Sequence, residues 1–343
     1  MSSTQKLPSG KWRTRLFLGR DQDGKEYTKS FTADTKRESE FLAHEYEVNH
    51  KIDNTALALN VSVYELVQIY IEQKQQQLSP STVRGYLTGL RNQIALLKSC
   101  KAANFNTQRH QKWINDLSKN LSPKTVKNVN GLVVTAFKHF NLALNPVTLP
   151  KKEYKPIRIP TTEEIREIVQ YFTKKGNIEM VKAIYLSSIG TLRRGEICGL
   201  MGEDVDRDNN TIFVHRSLVI DKDGNKILKS PKTYSSNRTI EMPKFVIDML
   251  PDSGHVVKTS INRITKSFRQ ALVDLDLPHY PFHSLRHYSA SIMHAQNIPT
   301  QYIMERGGWK SEATLTRIYR NSLDDWSKKY NSKNNEFFEK NFC

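Results

Sequence analysis

Four prolines in one short stretch do most to limit how this chain can fold. Pro146, Pro150, Pro156 and Pro160 punctuate the segment from Asn145 to Pro160. Each lacks a backbone N–H and biases the residue before it away from helix, so neither a helix nor an inner strand can run through the segment. Lys151, Lys152, Lys155 and Arg158 are interleaved with the prolines. Residues 146–160 therefore read as a stiff basic linker, one that either lies along a polyanion or is a solvated hinge. The flanking sequences are expected to fold as separate bodies, and 343 residues suffice for two or three ordinary cores.

Upstream of the linker the hydrophobic period changes once. From Lys11 to Phe31 short β-rich pieces, WRTRLFLGR and EYTKSF, flank Asp23-Gly24, a dipeptide suited to a tight hairpin. The stretch ADTKRESEFLAHEYEVNH that follows has helix-forming composition, with Phe41, Leu42 and Tyr46 expected to cover one face of the sheet. Residues 1–52 thus form a small sheet-plus-helix module. Between 57 and 145 the period becomes 3.6: Val63, Leu66, Val67, Tyr70 and Ile71 share a stripe, opened by a Ser62/Glu65 capping box. A second helix starts at Ser79-Pro80 with Val83, Tyr86, Leu87, Leu90, Ile94 and Leu97 inward. Another starts at Ser122-Pro123 with Val126, Val129, Val133, Ala136, Phe137 and Phe140 inward, and a shorter one around Trp113 and Leu117 lies between them. The starts SPSTVRGYLTGL and SPKTVKNVNGLV echo each other and set Arg84 and Lys124 near positive helix ends. Two readings stay open for them, plain helix openings or contacts to a phosphate backbone.

Downstream, residues 161–343 mix helix and strand. Helices read over Ile165 to Phe172 and Val181 to Ile189, with another opening inside TLRRGEICGL. TIFVH, SLVI and KILK then read as strands around the hairpin signal Asp223-Gly224, and RTIEM as a further strand before helices resume. The fold class expected is α+β, mainly helical, with a small N-terminal β-sheet module, a helical domain and a mixed α/β domain.

Charge narrows the partners. Lys and Arg number 52 against 35 Asp and Glu, a formal charge of +17, which favours a polyanion. No apolar run approaches the roughly 18 residues of a spanning helix, and the N-terminus has no signal-like apolar core, so cytoplasmic residence beside the nucleoid is expected and a membrane is not. Cys100, Cys198 and Cys343 are too few and too scattered for a disulfide framework or a zinc pattern.

Four separated pieces of the last domain carry candidate chemistry: GTLRRGE at 190–196, SPKTYSSNRTI at 230–240, HSLRHYSAS at 283–291 and GGWKSEATLTRIY at 307–319. Alone, each is what a solvated cation or a packing aromatic would also give. In this order and spacing they resemble the signature of the tyrosine recombinases, the phage-integrase family. The first box resembles the family's T-G-x-R-x-[GS]-E with Gly190 and Thr191 inverted, and Gly195-Glu196 selects Arg193 rather than Arg194 as the first catalytic arginine. HSLRHYSAS is similar to H-x-L-R-H-x-x-A-S and supplies His283 and Arg286. GGWKSEATLTRIY is similar to the family's L-G-H followed by the nucleophile, with Trp309 in place of His and Tyr319 as nucleophile.

The resemblance implies a 3′-phosphotyrosine mechanism with neither metal nor nucleotide cofactor. Arg193 and Arg286 would bind the non-bridging phosphate oxygens bidentately, and Lys232, on the loop between two strands, would protonate the leaving 5′ oxygen. His283, one helical turn before Arg286, would donate a hydrogen bond or manage the tyrosine proton. A phenol with a pKa of about 10 needs such cationic neighbours to attack at neutral pH. The resemblance also implies double-stranded DNA attachment sites as substrate, a homo-tetramer on DNA, and an excisionase or host DNA-bending protein as further partners. It implies arm-type DNA binding by residues 1–52, core-site binding by 57–145 and catalysis by 161–343, in the manner of an integrase of a phage or other mobile element. The competing readings are a non-catalytic DNA-binding protein and a type IB topoisomerase.

Overall fold

A computed structural model describes residues 2–20, 26–46, 60–152, 158–229, 237–319 and 324–342. The chain divides into two compact units, 1–153 and 154–343.

In the first unit, β1 (Ser2–Lys6), β2 (Trp12–Arg20) and β3 (Glu26–Ala33) form an antiparallel sheet in the order β1-β2-β3. The strand β1 escaped the sequence reading because SSTQK is polar and becomes a strand only by pairing, from Ser2 opposite Leu16 to Lys6 opposite Trp12. The Asp23-Gly24 turn lies outside the described residues. A helix α1 over 36–46 follows. Its expected apolar face is corrected: Phe41 is 63% exposed and Leu42 is exposed, while Ser39 and Ala43 are buried. Small side chains at an i, i+4 spacing let the helix approach closely, and the Ser39 hydroxyl hydrogen-bonds the buried Thr14 hydroxyl of β2 at 2.9 Å. Tyr46 meets Phe31 of β3 as expected, with ring centroids 5.3 Å apart.

The helical part of this unit comprises α2 (Val63–Lys74), α3 (Pro80–Asn92), α4 (Thr107–Ser118) and α5 (Pro123–His139). The capping box forms, with Ser62 N–H donating to the Glu65 carboxylate at 2.8 Å and Glu65 N–H to the Ser62 hydroxyl at 3.2 Å. All five stripe residues of α2 are buried. α3 stops at Asn92, and a 3-10 turn at Ile94–Leu97 carries the last two inward residues, Ile94 and Leu97, into the core. His110 is buried in that core and hydrogen-bonded to Asn130 at 2.6 Å. Beyond α5 the proline-rich stretch begins along the bundle: Gln111 clasps the backbone of Thr148, and Leu144, Val147 and Leu149 pack on the helical core.

The second unit packs α6 (Thr162–Lys174), α7 (Ile178–Ser188), α8 (Arg194–Gly199), α9 (Lys244–Ile247), α10 (Ile261–Asp274) and α11 (Ser284–Ala295) around one apolar core. Two small sheets flank it. β4 (Val205–Asp206), β5 (Thr211–Val214) and β8 (Arg238–Glu241) run antiparallel in the order β4-β5-β8, while β6 (Ser217–Ile220) and β7 (Lys226–Lys229) form a hairpin. Gly224 takes φ +89° in the turn of that hairpin, as its Asp-Gly signal requires. A satellite cluster of Ile159, Ala290, Met293, Ile303 and Leu315 joins α11 to α12 (Thr300–Gly307) and α13 (Glu312–Tyr319). The chain then runs into α14 (Asp324–Phe342), on which Phe337 and Phe338 are exposed. No helix among the described residues is long and apolar enough to cross a membrane.

Candidate active site

The site is built where three helix ends meet in the second unit. Arg193 stands immediately before α8, its N–H donating to the Glu196 carboxylate at 2.8 Å. Gly195 and Gly199 let α8 lie against β6; a Cβ on Gly195 would come within 2.5 Å of the Ser217 hydroxyl. Arg286 lies in the first turn of α11 and is 1% exposed. His283 precedes that helix, one turn before Arg286. Trp309 follows the end of α12, where Gly308 adopts a left-handed conformation at φ +62° that reverses the chain.

The closing carbonyls of α12 hold the arginines. Arg306 C=O accepts from Arg238 Nε at 2.8 Å and from the Thr191 hydroxyl at 3.0 Å. Gly307 C=O accepts from Arg286 Nη2, and Gly308 C=O from Arg193 Nη2 at 3.0 Å. Arg286 Nη1 donates to Thr191 C=O, and the Trp309 ring lies over its guanidinium, 3.9 Å from carbon to centroid. A helix C-terminus carries partial negative charge, so these carbonyls favour the guanidiniums they touch.

Glu196 is the counter-charge. It is buried, with Arg193 Nη1 at 2.7 Å on one side and Arg238 Nη2 at 2.8 Å on the other. Burial alone would raise its pKa, but the hydrogen bond and charge of Arg238, with the charge of Arg193, outweigh it and hold the carboxyl at about 2. Burial, then the charge of Arg193, pushes Arg286 down from the ordinary guanidinium range. A guanidinium starts so high, and has so many carbonyl partners here, that it stays a cation at neutral pH. A guanidinium has five N–H donors, and Arg286 spends two on the carbonyls of Thr191 and Gly307. Its Nε is buried with no hydrogen-bond partner.

His283 sits at the open rim, its ring 4.7 Å from that of His287. Surrounding protein, then the charges of Arg286 and Arg193, push its pKa down to about 4. Because more than a third of the residue is exposed, its neutrality rests more securely on the two guanidiniums than on depth. Arg194, the neighbour not selected by the motif, is exposed and turned to the Thr265 hydroxyl of α10. An open cleft of about 710 Å³ beside the cluster is lined by Phe213, Asn237, Arg238, Trp309 and Lys310 among others.

The structure thus brings Arg193, Arg286, His283 and Trp309 to one place. Lys232 lies outside the described residues. Tyr319 ends α13, which packs on α11 and α12; its side chain is not among those described. Sequence reasoning missed Arg238, Arg306 and Thr191 as parts of the site. Arg238 had a readable signal: in RTIEM it shares the inward strand face with Ile240, where an arginine needs a buried partner.

Two guanidiniums fastened to main-chain carbonyls, one of them stacked on an indole, form a cationic cluster of the kind suited to an oxyanion. Residues 159–325 match the phage integrase family, and residues 62–129 match the phage integrase N-terminal SAM-like domain. The chain belongs to that family, the tyrosine recombinases. It is 26% identical to a XerC-like tyrosine recombinase of Caldanaerobacter subterraneus subsp. tengcongensis over 92% of this chain and 94% of the relative. It is 25% identical to the integrase of Staphylococcus phage L54a, covering 72% and 85%. Its fold is that of the Tn1549 transposon integrase solved with circular-intermediate DNA (TM-score 0.65, 16% identity, covering 80% of this chain and 100% of that one). It is likewise that of the lambda integrase tetramer solved on a Holliday junction (TM-score 0.60, 17% identity, covering 92% and 94%).

Proposed function

We propose that this recombinase cuts and rejoins DNA at specific attachment sites through Tyr319. The observation that carries the reading is the fastening of Arg193 and Arg286 to consecutive carbonyls of one helix end, with Trp309 stacked on Arg286. Donors fixed in this way need no reorganisation when negative charge builds on a phosphodiester. The Tyr319 oxygen attacks phosphorus, the bond from phosphorus to the 5′ oxygen breaks, and that oxygen takes a proton from Lys232. His283, held neutral, accepts or relays the phenol proton. The 3′-phosphotyrosine conserves the energy of the broken bond, and attack by a 5′ hydroxyl reverses the steps.

In the same reading the module 1–52 binds arm-type sites, 57–145 binds the core site, 146–160 links them to 161–343, and four copies assemble on DNA. An excisionase or a host DNA-bending protein is a further partner in this reading, and the protein acts beside the nucleoid. The test is a nicked duplex carrying a candidate site, incubated with the full chain and denatured in SDS. A covalent adduct is expected from the native chain and none from Tyr319→Phe. An adduct persisting in that variant would overturn the nucleophile, and stable binding with no adduct from the native chain would make the protein a non-catalytic binder.

A further inference from the structure

Thr191 is in a conformation that its side chain resists. It takes φ +59°, a left-handed backbone that a β-branched residue rarely adopts, and it is 0% exposed. The inverted order of Gly190 and Thr191 places it there. The glycine cannot simply be exchanged with it, because a Cβ on Gly190 would meet Leu186 C=O at 2.8 Å and Leu192 and Met242 at 3.0 Å. Backbone strain of this kind persists only where surrounding contacts impose it. Two contacts do so. The Thr191 carbonyl accepts from Arg286 Nη1, and its hydroxyl donates to Arg306 C=O at 3.0 Å, the same oxygen that takes Arg238 Nε. The Arg306 side chain returns to the same turn, donating to Ile189 C=O at 3.2 Å.

We infer that Thr191 is a positioning residue: its hydroxyl latches the turn between α7 and α8 onto the end of α12 so that its carbonyl aims Arg286 at the phosphate. The latch sets the turn bearing Arg193 in register with the helix end that holds both arginines and Trp309. A serine keeps the hydroxyl, a valine keeps the shape without it, and a glycine relieves the left-handed backbone while removing the hydroxyl.

The inference rests on the arginine reading above, so its test has one readout that needs no cleavage. In the full chain the Arg286 Nε–H NMR signal, assigned by its disappearance in Arg286→Lys, is expected to shift in Thr191→Val and Thr191→Gly and to hold its place in Thr191→Ser. Single-turnover cleavage of a saturating nicked duplex is expected to fall about 10- to 100-fold in the valine and glycine variants with DNA affinity unchanged. Serine is expected to restore it. On a methylphosphonate substrate, whose scissile phosphate lacks the charge that Arg286 binds, the deficit is expected to shrink to within about threefold, whereas a general folding defect would slow both substrates alike. Glycine keeps the test open if valine does not fold. An unmoved Arg286 signal, full-rate cleavage by the glycine variant, or equal losses on both substrates would each overturn the latch. Absence of any adduct from the native chain would instead fall on the Tyr319 reading, and the Arg286 signal would still decide Thr191.

Discussion

At the scale of single residues the site is a set of cations kept apart by one carboxylate and four carbonyls, and its histidines follow from that. His283 is held down to about 4 by its surroundings and the nearby guanidiniums, and His287 to about 3 by burial and by His283. Both start from 6.5 when unfolded, so below that value the unfolded chain binds the more protons. Their contribution to stability is whole above 6.5 and is lost as pH falls toward 3. His110 and His139, also shifted down by burial, act with the same sign. Glu196 enters later: its stabilisation is present above 4.5 and disappears as pH falls through about 2. Urea unfolding should therefore show the midpoint dropping between pH 6.5 and 4.5 from histidines alone, with a shallower drop in His287→Phe. A flat midpoint across that interval would contradict the neutral histidines.

At the scale of elements, legibility tracked how local the determining force was. α2 could be read because five apolar residues recur with period 3.6 behind a Ser-x-x-Glu cap, and both features act within one helix. Ser62→Ala removes the hydroxyl that accepts Glu65 N–H and should lower the unfolding free energy of the helical bundle by about 1 kcal/mol, measured by urea titration of the full chain. An unchanged midpoint would mean the cap is dispensable. α1 shows the converse. Its composition announced a helix, but which face met the sheet was decided by how closely β2 could be approached, and Ser39 and Ala43 won over Phe41 and Leu42. That Arg193, His283, Arg286 and Trp309 gather was legible because each belongs to a local motif. Arg238 was legible only as an inward-facing arginine in RTIEM and Thr191 not at all, because their roles exist only once β8, the α7–α8 turn and the end of α12 have met.

At the scale of the whole molecule the excess of +17 charges is the property with the largest reach. Internal ion pairs leave that excess untouched, because each sets a cation against an anion already counted: Arg193 and Arg238 flank Glu196, Arg216 pairs with Asp204 and Lys182 with Glu179. Exposed cations such as Lys124, Lys151 and Lys152 keep their charge for a polyanion. Duplex affinity should then fall with salt at a log–log slope of about −5 or steeper, the value for roughly six neutralised phosphates, as read by fluorescence anisotropy. A slope near zero would exclude extensive backbone contact. Charge was readable from composition, and the division into units at 153/154 falls within the proline-rich stretch, whereas the path of residues 230–236, which include Lys232, lies outside the described structure.

The three carbonyls that close α12 belong to the main chain, and this has a bearing on how such a site drifts over generations. What steadies Arg193 and Arg286 is the route of the backbone through Arg306, Gly307 and Gly308, so an inventory of side chains would pass over it. Substitutions that preserve the route are silent at these oxygens, while one that bends it, such as a proline, would loosen every arginine together. Two of these three supports leave no room for exchange, since a Cβ on Gly307 would come within 1.8 Å of the Trp309 ring and Gly308 holds φ +62°, so the site is brittle along the very backbone that steadies it.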